Sequence, residues 1–161
     1  MYKRILIPMD GSPLAEVVLP HVQLLAKSFN AELVLLQVLV EPADAFAIPS
    51  SPLSPHRSTQ KAYTKMKNYL KKICANLEKD GINATFLIRS GGVPDTILEM
   101  ADIMQADLIA MSTHGHSPTR LFLLGSVTYQ VVRHSPLPVL VIRSEPMDNQ
   151  MKAQRENQIN R

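Results

Sequence analysis

Two short stretches hold the polar residues whose types and spacing suit ligand chemistry. Asp10-Gly11-Ser12 follows the apolar run "RILIPM", and "MSTHGHSPTRLFLLGS" runs from Met111 to Ser126. The second leaves an apolar run, passes His114-Gly115-His116, and ends on Gly125-Ser126 just before a periodic apolar stretch. The spacing predicts a helix opening at Gly125-Ser126. The first amides of a helix lack intrahelical partners and carry the positive end of its dipole, which makes an anion site. Glycine lets a phosphate approach the backbone closely, and the Ser126 hydroxyl can cap the helix or donate to a phosphate. Gly115 allows a sharp turn off the preceding strand. Ser117-Pro118 pairs an N-cap with a first-position proline, which predicts a short helical turn from Pro118 to Leu124.

Other chemistries fit less well. No Gly-Lys closes a phosphate loop of the Walker type, and no G-x-G-x-x-G follows the first apolar run. His114 and His116 lack a third metal ligand at workable spacing, so they read either as phosphate contacts or as exposed loop histidines. Asp10, at a strand end, either caps the next helix or meets Mg²⁺ through a bound nucleotide. Hydrolysis needs a positioned water, charge stabilisation and usually a metal. Asp10 is the sole carboxylate that the sequence places here, and no Lys or Arg is fixed nearby by a motif; Arg120 reads as a surface residue. Binding with slow or negligible turnover is therefore expected, with no catalytic or metal-ligating residue assigned.

Two kinds of segment must position these residues. "RILIPM", "AELVLLQVLV", "ATFLIR", "DLIAMST" and "PVLVIR" are near-continuous apolar runs, as expected of strands buried on both faces of a parallel sheet. Between them lie segments of helical period. The first starts with Ser12 as N-cap and Pro13 after it, buries Leu14, Val18, Val22, Leu25 and Phe29, and kinks at Pro20. The second covers roughly His56 to Lys79 with Ala62, Met66, Tyr69, Ile73 and Leu77 inward, and stops at Asp80-Gly81. The third runs from about Pro94 to Gln105 with Ile97, Leu98 and Ala101 inward. The fourth, from Gly125-Ser126 to the residues before Pro136, buries Val127, Val131 and Val132. The order βαβαβαβαβ with right-handed crossovers predicts a doubly wound sheet. Ligands in such sheets sit outside the carboxyl ends of the strands where strand order reverses.

A chain of 161 residues suits one domain with one core. The α/β domain is expected over 1–144, with a polar tail at 145–161. The Pro- and Ser-rich stretch 41–58 reads as a flexible loop within the domain. The single Cys74 allows no internal disulfide and fits a reducing, cytoplasmic setting. Mid-helix beside Ile73, it reads as a packed thiol. No apolar run has the length of a membrane span or a signal peptide, so no membrane contact is expected. The formal net charge is +3, and five lysines crowd into "KAYTKMKNYLKK". A lysine face on an amphipathic helix is usually solvated, and without Trp or a basic groove nucleic acid binding is not expected.

From Tyr2 to about Arg143 the chain resembles the universal stress protein family. "ILIPMDGSPLAE" is similar to that family's opening strand and helix start, "LLQV" to its second strand, and "MSTHGHSPTRLFLLGSVTYQVVRHSPLPVLVIR" to its C-terminal signature. The nucleotide-binding branch carries Gly, two residues, Gly, nine residues, then Gly-Ser or Gly-Thr. Gly115 and Gly125-Ser126 match the later part; Ser112 stands where the first Gly would be. If position 112 requires a positive φ, serine is strained there by roughly 1 kcal/mol or more. If glycine serves only close approach, the Ser112 hydroxyl can bond the ribose instead.

The resemblance implies a Rossmann-like or flavodoxin-like five-stranded parallel sheet of order 3-2-1-4-5, with helices on both faces. It implies a homodimer paired through the last strand, Pro138 to Ile142, and a regulatory role in stress response with ATP as ligand, Mg²⁺ accompanying it, and a protein partner yet to be identified. In site terms it implies Asp10 on the ribose, with Pro8 beside it and Met9 and Val38 near the adenine. Ser112 and Gly115 would line ribose and phosphates, with Met111, His114 and His116 beside them as candidate contacts from their place in the stretch, and Gly125, Ser126 and Val127 would hold phosphates through their amides. Two alternatives remain at this point: an interaction dimer that binds no nucleotide, and a weak Mg²⁺-dependent ATPase.

Overall fold

The computed structural model describes residues 1–40, 55–113 and 124–143, with the backbone alone for 55–58. The strands are β1 (Arg4–Pro8), β2 (Glu32–Leu39), β3 (Ala84–Ser90), β4 (Leu108–Ser112) and β5 (Val139–Ile142). The helices are α1 (Pro13–Glu16), α2 (Leu19–Phe29), α3 (Pro55–Lys79), α4 (Val93–Ile103) and α5 (Ser126–His134). All strand pairs are parallel and the sheet order is β3-β2-β1-β4-β5, the expected 3-2-1-4-5.

Strand alternation divides the core between two faces. Ile5, Ile7, Leu33 and Leu35 pack with Val18 and Val22 of α2's approach and body and with Leu70, Ile73 and Leu77 of α3. Leu6, Val34, Leu36 and Ile109 pack with Ile97 and Met100 of α4 and Val131 of α5. Central strands thus bury side chains in both directions, which is why their sequences are apolar without alternation.

Two local expectations are corrected and one is extended. The kink at Pro20 is a full break: α1 stops at Glu16, and α2 restarts at Leu19 with Pro20 in its first turn. Proline offers no N–H to continue α1 but suits a helix start. Val132 faces solvent at 43% exposure while Thr128 is buried, so the inner face of α5 is Val127, Thr128 and Val131. The inward stripe of α3 includes Leu70 and Cys74, both buried, alongside Ile73 and Leu77. Gly81, at φ 76°, ends the turn after α3 as expected.

Candidate functional site

β1 and β4 are neighbours in the sheet, yet the chain leaves them in opposite directions, β1 toward β2 and β4 toward β5. A crevice opens at such a switch point. Here it is a cavity of about 780 Å³ at the carboxyl edge, within the size range of small-molecule pockets.

β1 delivers Pro8, Met9 and Asp10 to this cavity. The Met9 N–H donates to the Leu36 carbonyl at 2.7 Å, which holds the end of β1 against β2. Asp10 then folds back: its Oδ1 accepts from the Ser12 N–H at 2.9 Å, and Ser12 Oγ accepts from the Ala15 N–H at 3.2 Å. Ser12, not Asp10, is therefore the side-chain cap of α1. Gly11 sits between them at φ 82°, a left-handed conformation that costs an L-residue about 1–2 kcal/mol. β2 contributes Gln37 and Val38, one from each face of the strand.

β4 and α5 close the other side. Met111, Ser112, Gly125, Ser126 and Val127 all border the cavity. Ser112 lies inside β4, opposite Ile142 of β5, and is not a positive-φ residue. The strain alternative for Ser112 therefore falls away. The Thr128 hydroxyl donates to the Ser112 carbonyl at 2.9 Å and lies 3.2 Å from the Thr113 carbonyl. The Gly125 N–H donates to the Thr113 carbonyl at 2.8 Å. These bonds pin the start of α5 to the end of β4. They also occupy the Gly125 amide, so the first-turn amides of α5 without an intrahelical partner are those of Ser126, Val127 and Thr128. Gly125 is an extended N-cap with no side-chain capping bond.

The structure thus brings nine of the expected site residues to one cavity. His114, Gly115 and His116 lie outside the described residues, as do the turn expected from Pro118, residues 41–54 of the loop, and the tail. Sequence reasoning missed Gln37, Thr113 and Thr128. Gln37 had a signal: it is the one polar residue inside the otherwise apolar run "LVLLQVLV". Thr128 had none, because its position looked polar and outward.

Behind the cavity lining, the α3 side of the core carries unusual polarity. Tyr69 has a buried hydroxyl with no partner of bonding geometry. Burial, then the Glu16 and Asp10 carboxylates, hold its phenol well above the ordinary value. Burial, with Glu78 adding to it, pushes the Cys74 thiol up to about 11, so at neutral pH it stays a protonated core residue.

A parallel doubly wound sheet with a polar-edged cavity at its switch point, closed by the N-terminus of a helix, defines a Rossmann-like or flavodoxin-like α/β domain with a candidate ligand crevice. The family model described as "Universal stress protein family" matches residues 1–143. The chain is 31% identical over 155 residues to the universal stress protein MJ0577 of Methanocaldococcus jannaschii, covering 89% of this chain and 96% of that one. A solved structure of MJ0577 superposes with a TM-score of 0.71 at 29% identity, covering 91% of this chain and 99% of that one. This chain belongs to the universal stress protein family. Two further structures share its fold. One is a universal stress protein in complex with cAMP (TM-score 0.63, 22% identity, 89% of this chain and 98% of that one). The other is an Archaeoglobus fulgidus universal stress protein in complex with dAMP (TM-score 0.61, 21% identity, 88% and 98%).

Proposed function

We propose that this protein is an ATP-binding regulatory module that acts as a homodimer and turns its nucleotide over slowly or not at all. The observation that carries the reading is the cavity itself, bounded by the Asp10 turn on one side and the first turn of α5 on the other. Its residues fit a nucleotide. The Ser126 and Val127 amides suit phosphates, Asp10 suits a ribose hydroxyl, and the Met9 and Val38 backbone suits an adenine edge. Ser112, in ordinary extended backbone, offers its hydroxyl toward the ribose. Mg²⁺ would arrive on the phosphates, which supply its oxygen ligands. The cAMP and dAMP complexes of related proteins support adenine as the base.

The described side chains support slow turnover. Asp10 is the one carboxylate bordering the cavity among the described residues, and one of its oxygens is committed to the Ser12 amide. No Lys or Arg among the described residues borders the cavity to stabilise a transferring phosphoryl group. The dimer reading rests on β5, an edge strand whose Val139–Ile142 are only half-buried.

Calorimetric titration with Mg²⁺-ATP tests the central part, with phosphate release followed in the same samples. Saturable binding of one ATP per protomer without release is the expected outcome. No binding at millimolar ATP would overturn the nucleotide reading, and release abolished by Asp10→Ala would establish an ATPase instead.

A further inference from the structure

Gln37 interrupts an otherwise apolar strand at the point where that strand reaches the cavity. It is 6% exposed, and its Oε1 has no hydrogen-bond partner. An unpaired buried amide oxygen forfeits its hydration without return, a loss that leucine at this position would avoid. By strand alternation Gln37 shares the face of Leu33 and Leu35, whereas Val38 takes the other. A Cβ placed on Gly11 would lie 3.4 Å from the Gln37 Nε2. The amide therefore stands against the β1–α1 turn that carries Asp10, in the wall of the cavity.

An amide offers an acceptor beside a donor. The matching nucleobase edge is adenine, where the 6-amino group lies next to a ring-nitrogen acceptor. The unpaired atom here is the oxygen, so a ligand group that meets it is a donor. We propose that Gln37 is the base-reading residue of this cavity, its amide oxygen accepting a hydrogen bond from the 6-amino group of a bound adenine. The terminal amide torsion of glutamine is broad, so the oxygen turns toward the cavity at little cost. A purine with oxygen at position 6 offers no donor there. This rests on the nucleotide reading above and adds the group that selects the base.

The test titrates the full chain and its Gln37→Leu variant with ATP, with purine riboside triphosphate, which lacks the 6-amino group, and with 2′-deoxy-ATP. Wild type should bind the des-amino ligand about 5- to 150-fold more weakly than ATP, the range for leaving a buried acceptor unpaired. Gln37→Leu should bind the two alike. Its unliganded form should melt at or above wild type, because the orphaned oxygen is gone; a purely structural Gln37 would lower the melting temperature. Gln37→Met, equally long and apolar, repeats the comparison if the leucine variant does not fold. Equal binding of ATP and the des-amino ligand by wild type overturns the inference and leaves the nucleotide reading intact. So does a preference for ATP that survives in the variants, or a Gln37-dependent loss seen only with 2′-deoxy-ATP. Failure of wild type to bind any of the three removes both.

Discussion

At the scale of single residues, the carboxylates divide cleanly by task. Asp107 Oδ2 accepts from the Lys3 and Arg4 amides at 2.6 and 2.8 Å, far from the cavity. The Lys3 amide first, and the Arg4 amide next, hold its carboxyl below the usual carboxylate range. A carboxylate with a depressed folded-state pKa contributes stability above its unfolded pKa and loses it as pH falls through the folded one. Asp107→Ala should therefore cost stability at pH 7, by about 1 kcal/mol once solvent screening is allowed for. The difference from wild type should begin to shrink only as pH falls past about pH 4, the unfolded aspartate value, and close as pH falls through the lower folded value; urea melts at a series of pH values from 7 downward measure it. Asp10 was legible as a site residue because it ends an apolar run before Gly-Ser. Its bond to the Ser12 amide was not, because the alternatives of cap, ribose contact and metal contact all suit an Asp at a strand end. Ser112 shows the same limit: only backbone geometry could tell an extended serine from a strained one.

At the scale of elements, the sequence marked starts better than interiors. Ser12-Pro13 and Gly125-Ser126 both open helices where expected, since caps are local chemistry. The split between α1 and α2 was half legible, because a proline inside a periodic stretch signals either a kink or a new start. On α5 apolar type and burial part company, because Val132 faces solvent. Thr128 buries instead, its hydroxyl satisfied by two strand carbonyls. That arrangement makes α5 a fixed donor platform, and a backbone substitution can probe it. Gly125 has φ −63° and ψ 158°, an extended conformation that accepts a following proline. Ser126→Pro should leave the helix in place while removing one ligand-facing amide and one hydroxyl. We expect an unchanged melting temperature and ATP affinity reduced about tenfold or more, the loss for a charge-assisted hydrogen bond; thermal melts and titration calorimetry report the two halves separately.

At the scale of the whole molecule, a doubly wound parallel sheet was legible because five doubly apolar runs separated by helices leave few chain paths, while the order 3-2-1-4-5 among those paths came from the family resemblance alone. What covers the sheet's ends was not. The Pro138 carbonyl, just before β5, accepts from the Ile109 amide of β4, and the Ile142 carbonyl accepts from the Thr113 amide just after it. With that spacing, the backbone groups of Val139 and Val141 point to the free edge. A second copy pairing there would satisfy them and blunt an edge that otherwise invites aggregation. Val141→Pro removes an outward N–H without touching the β4 ladder, and edge strands tolerate proline. Sedimentation velocity should show a dimer for wild type and a monomer for this variant; a dimer in both would move the interface elsewhere. The central claim joins both sides of the cavity in one nucleotide site, and amide-resolved NMR during an ATP titration tests it most directly. The account predicts saturable shifts concentrated at Met9–Ser12, at Gln37 and Val38, and at Ser126–Thr128. Shifts that do not saturate, or that saturate with these three segments unmoved, would contradict it.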